Sequence, residues 1–184
     1  MTNYDPTNPC RRSTRLKKYD YSQAGVYFIT LVIKNRNYLF GDIKNGDMIV
    51  NDAGKNTERC WFEIPNHYQN TQLYEYIVMP NHFHGIIKIV GTENIPALGS
   101  IIRGFKIGVT KWFQKKSLKD YPIGKSIWQR NYWEHVIRNK TEYKHIAQYI
   151  IDNPMQWEKD QLKDSNKNIV MEQTAEYNHE IWMI

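Results

Sequence analysis

The stretch LYEYIVMPNHFHGIIKIV, residues 73–90, predicts two β-strands with a Pro-Asn dipeptide at their connection or at a bend. Apolar, β-branched and aromatic residues dominate both sides of the proline, which is typical of paired strands. Successive side chains of a strand alternate between its two faces, so we expect His82 and His84 on one face and Phe83 on the other. This strand pair, with two histidines at its turn, is the centre of the predicted fold.

The remaining elements follow from hydrophobic periodicity, turn dipeptides and helix caps. They are, in chain order, a strand over residues 25–33, a hairpin turning at Asn45-Gly46, a helix capped by Asn51 or Asp52 and ending near Pro65, the strand pair, an amphipathic helix within residues 95–116, a strand over 127–137 and a final helix capped by Asn139 or Thr141. Segregated antiparallel strands and helices in this order predict an α+β fold with a ferredoxin-like antiparallel sheet and helices packed on it.

The composition predicts one folded domain with tails. The chain has 184 residues, of which 41% are hydrophobic and 24% are charged, values typical of a globular protein. We expect a flexible basic arm over residues 1–20, a folded domain over 21–158 and a C-terminal tail over 159–184. Cys10 and Cys60 lack metal-site spacing, and no apolar run has the length of a signal peptide or a membrane span. A cytoplasmic protein without a membrane partner is expected.

The charge distribution favours a polyanionic partner. The formal net charge is +6, and the stretch 101–119 contains basic residues but no acidic ones. A solvated helix face explains any single basic residue equally well. The candidates for contacts with the phosphates of such a partner are Arg11, Arg12, Arg15, Arg103, Lys106, Lys111, Lys115, Arg130 and Arg138.

The two histidines can bind one metal ion together, although a hydrogen-bonded or surface pair is the more common fate of an H-x-H sequence. Tyr149 and Asn153 stand four residues apart in the final helix, so they share one of its faces. Asn153 could add an amide oxygen ligand, and Tyr149 could attack a phosphate. A phenol with a pKa near ~10 needs a metal-polarised phosphate or a nearby base for that reaction. Spacing alone fits a buried aromatic residue at position 149 as well.

Two segments, YIVMPNHFHGIIKI and IWQRNYWEHVIRNKTEYKHIAQYIIDNP, resemble the REP-associated tyrosine transposases. These are relatives of the single-tyrosine insertion-sequence transposases within the HUH endonuclease superfamily. The likeness spans about residues 21–157 and includes a hydrophobic residue between the histidines, W-Q-x-x-x-[WYF]-x-[DE]-H-x-I-R and Y-I-x-x-N-P, in that order. It implies that residues 21–158 are a ferredoxin-like catalytic domain that cleaves and rejoins single-stranded DNA beside hairpin repeats.

The resemblance also implies residue roles. His82, His84 and Asn153 would bind a divalent ion, Mg²⁺ or Mn²⁺, and Tyr149 would be the nucleophile. Its attack would leave a 5′-phosphotyrosine and a free 3′-hydroxyl, and the energy kept in the new phosphoester would allow resealing without ATP. Tyr143, on another face of the same helix, is the alternative nucleophile.

Glu134 and His135 match the family pattern as well. They could orient a metal ligand or a DNA phosphate, or they could only fix the end of a strand. The expected partner is single-stranded or hairpin DNA, and a monomer is favoured over a homodimer.

Two other functions stay open at this point. One is a non-catalytic, domesticated protein that binds repeat hairpins without cutting them. The other is a metal-dependent hydrolase of small phosphoesters with water as the nucleophile, which predicts that Tyr149→Phe spares activity.

Overall fold

The computed structural model describes residues 23–91, 95–116 and 126–163. The predicted arm, with Arg11, Arg12 and Arg15, and the tail beyond residue 163 lie outside these ranges. The elements in chain order are β1 (Gly25–Val32), β2 (Gly41–Lys44), β3 (Asp47–Val50), α1 (Asp52–Phe62), α2 (Ile64–His67), β4 (Thr71–Val78), β5 (His82–Ile89), α3 (Leu98–Lys116), β6 (Trp133–Ile137) and α4 (Lys140–Asp152), with 3₁₀ turns at Lys34–Arg36 and Trp157–Lys159.

Four of the strands form an antiparallel sheet in the order β4-β5-β1-β6, and β2 pairs with β3 in a separate hairpin. The succession β1-α1-β4-β5-α3-β6 in this strand order is the ferredoxin-like arrangement, which confirms the predicted α+β fold. The β2–β3 hairpin turns at Asn45 and Gly46, both with positive φ, as an Asn-Gly turn requires.

One face of the sheet, here called the packing face, presents Tyr27, Ile29 and Phe83 to α1 and α3. The ring of Trp61 from α1 lies against β5 at Gly85, where an added Cβ would approach the ring to 2.9 Å. The absence of a side chain at this position leaves the space that the aromatic ring fills, so the glycine serves the core.

The opposite face, here called the histidine face, presents Phe28, His84 and Ile86 and is covered by α4. Ile146 and Ile150 of α4 pack on Phe28 and Ile86 in a smaller apolar cluster. Because α4 lies on this face, the side chains of its last turn come close to the histidines.

Two predicted boundaries were wrong by several residues. The helix that begins after Asn51 ends at Phe62, and Pro65 lies in the first turn of the short α2, a position that needs no backbone N–H. The last strand covers only Trp133–Ile137, because Trp128 forms an isolated bridge with Ile33 and its side chain packs in the core. No helix in the described ranges is long and apolar enough to cross a membrane.

Candidate active site

His82 and His84 lie at the start of β5, and both are almost completely buried. The Nδ1 atom of His82 is 2.8 Å from Asn81 Oδ1, and Nδ1 of His84 is 2.8 Å from Thr30 Oγ1. The ring centroids are 4.6 Å apart. Oxygen partners at Nδ1 fix the orientation of metal-binding histidines, so both Nε2 atoms remain for a shared ligand.

Both imidazoles are held in the neutral form. Burial and, secondarily, the positive charge of Arg36 lower the pKa of His82 to about 3. Burial and the neighbouring His82 lower the pKa of His84 well below its usual value, although Asp160 acts in the opposite direction. A metal binds histidine only through an unprotonated nitrogen, so burial keeps the pair in the required state.

Tyr149 of α4 extends to the same place. Its hydroxyl is 3.5 Å from Nε2 of His84, and the two rings meet edge to face with centroids 5.4 Å apart. Phe28 contacts both rings, stacking on His84 and meeting Tyr149 edge-on. Tyr149 is half-buried, so part of the residue faces solvent.

Asn153 is the C-cap residue of α4 and is 3% exposed. Its amide lies beside His82, where it favours the protonated ring and partly offsets the lowering of that pKa. Asn153 Oδ1 and His82 Nε2 are both buried without a hydrogen-bond partner in the described part of the chain. An uncompensated buried acceptor costs about 1–3 kcal/mol, and a shared cation would satisfy both atoms.

The donor set at this place therefore fits a divalent ion. Two neutral imidazoles and an amide oxygen suit Mn²⁺ or Zn²⁺. Mg²⁺ would need additional oxygen ligands at the same place. Across residues 23–91, 95–116 and 126–163, no group of three or more His, Cys, Asp or Glu side chains is arranged as a metal site. A metal here would thus depend on the Asn153 amide in addition to the histidines.

Sequence analysis missed the segment 157–163, which packs beside the histidines. Trp157 lies against the His82 ring with centroids 6.0 Å apart. Asn81 donates through Nδ2 to the carbonyl oxygen of Leu162 at 2.7 Å. The predicted domain boundary at residue 158 falls inside this segment.

Two charged residues of this region were also missed. Arg36, buried after β1, donates from Nη1 to the carbonyl oxygen of Gln161 at 3.0 Å. Asp160 places Oδ2 at 3.8 Å from His82 Nε2, and its burial raises the pKa of its carboxyl group. Trp157 is the one signal that could have indicated docking, because a tryptophan is rarely left in solvent after a final helix.

Tyr143, the alternative nucleophile, has a different environment. Its hydroxyl donates to Glu75 at 2.6 Å, and its ring meets Tyr74 edge-on. Burial and the Glu75 carboxylate raise the pKa of Tyr143 to about 12. This phenol therefore joins α4 to β4 and is a poorer nucleophile than an unperturbed tyrosine.

Glu134 and His135 lie on opposite faces of β6, paired with Ile29 and Phe28 respectively. His135 Nε2 is 2.6 Å from Oε1 of Glu142, and Oε2 of the same carboxylate accepts from the backbone N–H of Arg138. These contacts join the end of β6 to the first turn of α4. This geometry agrees with a role for His135 in fixing the strand end.

The predicted phosphate contacts on α3 lie across the sheet from the histidines, since α3 covers the packing face. A groove of about 600 Å³ runs beside this helix. Its cationic lining residues are Arg103, Lys106, Lys111 and Arg130. Lys115 is exposed further along α3, and Arg138 is exposed near the start of α4.

Lys106 differs from the other cations of the groove. Its ammonium group donates to the carbonyl oxygens of Gln129 and Asn131 at 3.0 and 3.1 Å and lies over the Tyr132 ring. Burial lowers the pKa of Lys106 to about 8. Its charge is thus engaged by the loop that precedes β6.

Comparisons with known proteins agree with this architecture. Residues 26–153 match the family described as "Transposase IS200 like". An uncharacterized protein of Haemophilus influenzae is 42% identical over 181 residues, which cover 88% of this chain and 97% of that protein. A REP-associated tyrosine transposase of Escherichia coli K12 is 29% identical over 85 residues, covering 46% of this chain and 44% of its own.

A solved structure has the same fold. It is a REP-associated tyrosine transposase bound to a REP hairpin, with a TM-score of 0.58 and 22% identity, over 79% of this chain and 74% of its own. The family matches residues 26–153, which are most of the folded domain, and this match decides to which family the chain belongs. The chain belongs to the IS200-like transposase family, and its likeness to REP-associated tyrosine transposases is confirmed.

Proposed function

We propose that this chain cleaves and rejoins single-stranded DNA next to hairpin repeats, with Tyr149 as the nucleophile and a divalent ion bound by His82, His84 and Asn153. The observation that carries the proposal is the 3.5 Å between the Tyr149 hydroxyl and Nε2 of a buried, neutral histidine. Metal-assisted phosphoryl transfer needs a nucleophile close to the metal ion, and Nε2 of His84 is the atom that would bind this ion.

Each residue has a defined task in this reaction. His82 and His84 present unprotonated Nε2 atoms, held in place by Asn81 and Thr30. Asn153 presents its amide oxygen from the end of α4. A bound Mg²⁺ or Mn²⁺ would polarise the scissile phosphate and offset its charge.

Tyr149 carries the covalent chemistry. Its oxygen attacks phosphorus and its hydroxyl proton is released to solvent, while the bond from phosphorus to the 3′-oxygen breaks and that oxygen takes up a proton from solvent. The products are a 5′-phosphotyrosine and a 3′-hydroxyl. In the reverse direction a 3′-hydroxyl attacks the same phosphorus and releases Tyr149, so the strand is resealed. Phe28 holds the tyrosine ring edge-on and restricts its position during both steps.

The DNA contacts proposed for this chain are the exposed cations. A related protein of the same fold has been solved bound to a REP hairpin, which supports hairpin DNA as a partner here. Arg103, Lys111 and Arg130 line the α3 groove, and Arg138 is exposed between β6 and α4. The sheet separates groove and nucleophile, so one DNA molecule that touches both would pass around an edge of the sheet. The N-terminal arm with Arg11, Arg12 and Arg15 remains a further candidate, and a monomer remains the expected state.

The test is a covalent adduct assay. The full chain is incubated with labelled single-stranded hairpin DNA and Mn²⁺, and the products are separated on a denaturing gel. We expect a protein–DNA adduct with the wild type and with Tyr143→Phe, and none with Tyr149→Phe or His82→Ala. Tyr143→Phe is the matched control, because it removes a hydroxyl from the same helix.

Other outcomes point to other functions. Binding without an adduct across several hairpins would indicate the non-catalytic DNA-binding protein. Metal-dependent cleavage that survives Tyr149→Phe would indicate water as the nucleophile.

A further inference from the structure

The Asp160 carboxylate is buried beside the histidines, where the charge of Arg36 favours its ionised form. Its side chain is 6% exposed, and Oδ1 accepts from the backbone N–H of Leu162 at 2.6 Å. Oδ2 has no hydrogen-bond partner in the described part of the chain. Burying an ionised carboxylate is costly unless a cation or several donors compensate for the lost water.

The hydrogen bonds of Asn81 decide which nitrogen of His82 carries the proton. Asn81 Nδ2 donates to the carbonyl oxygen of Leu162, so its Oδ1 is the atom that faces Nδ1 of His82. An amide oxygen can only accept, and Nδ1 therefore donates. In the neutral ring this leaves an unprotonated lone pair on Nε2.

Three acceptor atoms thus share one buried place without a donor between them: His82 Nε2, Asn153 Oδ1 and Asp160 Oδ2. Nε2 and Asp160 Oδ2 are 3.8 Å apart. That distance is too long for a hydrogen bond, but two ligands with bonds of about 2.1 Å to one ion can lie up to about 4 Å apart.

We infer that Asp160 becomes a further protein ligand of the divalent ion, in addition to His82, His84 and Asn153, when binding of the ion draws these side chains together from the positions they hold without metal. This inference rests on the proposed function, since it concerns the same ion. It assigns the segment 157–163 a function in the site, because the contacts of Trp157, Arg36 and Asn81 dock this segment and hold Asp160 beside His82.

An anionic oxygen ligand changes the ion that the site prefers. Two imidazoles and an amide give a neutral ligand set in which nitrogen predominates. With Asp160 the set has two nitrogens and two oxygens and one negative charge. Hard oxygen ligands suit Mg²⁺ and Mn²⁺, so Asp160 favours these ions at a place where two histidines alone would suit softer metals.

The test measures Mn²⁺ binding to the full chain without DNA, by calorimetry and by electron paramagnetic resonance of free Mn²⁺. Asp160→Asn keeps an oxygen that can accept from the Leu162 N–H and removes the charge. We expect this variant to weaken Mn²⁺ binding by about tenfold or more. Asp152→Asn is the matched control, because Asp152 hydrogen-bonds Gln148 on the surface of α4 and should leave binding unchanged.

A second readout separates ligation from folding. Asp160→Asn should unfold in EDTA at the same temperature as the wild type or a higher one, while gaining less stability from added Mn²⁺. Equal Mn²⁺ affinity in the wild type and Asp160→Asn, with binding lost in His82→Ala, would overturn the role of Asp160 and leave the proposed function standing. A wild type that binds no Mn²⁺ would overturn both.

Discussion

The two faces of the sheet are built for different purposes, although the same strands supply both. On the packing face, Trp61, Phe83 and Phe105 interlock with ring centroids 4.9 to 5.9 Å apart. On the histidine face, the apolar cluster around Phe28 is small and adjoins buried polar groups. Close packing stabilises the folded state, whereas buried acceptors without donors destabilise it unless a ligand satisfies them. Stability should therefore depend on one face and chemistry on the other.

β5 shows how one strand serves both purposes. Its alternation places Phe83 in the larger core while His82 and His84 face α4. A shift of register by one residue would exchange the two sets. The proposed metal ligands are thus held in place by the packing of their neighbour on the opposite face.

The largest effect on stability should come from Trp61→Ala on the packing face. The side chain is fully buried against Phe83 and lies over Gly85, so its loss leaves a cavity that the rigid sheet cannot fill. We expect the free energy of unfolding to fall by about 3–5 kcal/mol, measured by urea denaturation. The control is Phe62→Ala, the adjacent residue with 56% of its surface exposed, which should cost much less. Similar losses in both variants would contradict the contrast between the faces.

A second prediction concerns the pH dependence of the histidine face in EDTA. The folded pKa of His82 is about 3, below the usual histidine value of 6.5. Below pH 6.5 the unfolded chain therefore binds a proton that the folded chain does not. The free energy of unfolding consequently decreases as the pH is lowered. Between about pH 7.5 and pH 5 this residue should account for a loss of about 2 kcal/mol.

The measurement is urea unfolding at the two pH values for the wild type and His82→Gln. The variant should lose about 2 kcal/mol less than the wild type over this interval. His145→Gln, which changes an exposed histidine of α4, should keep the wild-type dependence. An unchanged pH dependence in His82→Gln would mean that burial of this ring does not oppose its protonation.

A smaller effect is expected from Thr30→Val, which removes the hydroxyl that orients His84. Partners of this kind typically change metal affinity or activity by about 10–100-fold. The Mn²⁺ dissociation constant should rise within that range. Thr57→Val is the matched control, because Thr57 is a buried threonine of α1 on the packing side and its hydroxyl donates to the carbonyl oxygen of Ala53 in the same helix. Weakened Mn²⁺ binding in the control would mean that the two faces are coupled.

Local patterns in the sequence predicted much of this arrangement. The alternation of side chains along β5 predicted that His82 and His84 lie on one face of the strand. The four-residue spacing predicted that Tyr149 and Asn153 lie on one face of α4. The structure brings all four together, and their roles in catalysis remain predictions. Family resemblance, not spacing, distinguished Tyr149 from the other tyrosines.

The residues that were missed depend on contacts between distant parts of the chain. Asp160 is one acid in a segment of mixed charge, and only docking on His82 distinguishes it. Arg36 reaches its buried position where Asn35 and Arg36 both adopt positive φ, which is common for asparagine but is not indicated in advance by an arginine. Lys106 and Lys111 look alike in the sequence of α3, yet their surroundings differ.

The last prediction on stability compares these two lysines. Lys106→Met leaves the carbonyl oxygens of Gln129 and Asn131 without their charged donor, so we expect a loss of about 1–3 kcal/mol in the free energy of unfolding. Lys111→Met removes an exposed cation and should change stability by less than about 0.5 kcal/mol.

For DNA binding we expect the opposite order, with a larger effect from Lys111→Met than from Lys106→Met. If Lys111 contacts a phosphate, Lys111→Met lowers the salt dependence of hairpin affinity by about one unit in the slope of log K against log salt. Lys106 is already engaged by the loop before β6, so Lys106→Met should leave that slope nearly unchanged in the folded protein. Hairpin titrations at several salt concentrations, with folding checked by circular dichroism, measure both. An unchanged slope in Lys111→Met would exclude this residue as a phosphate contact.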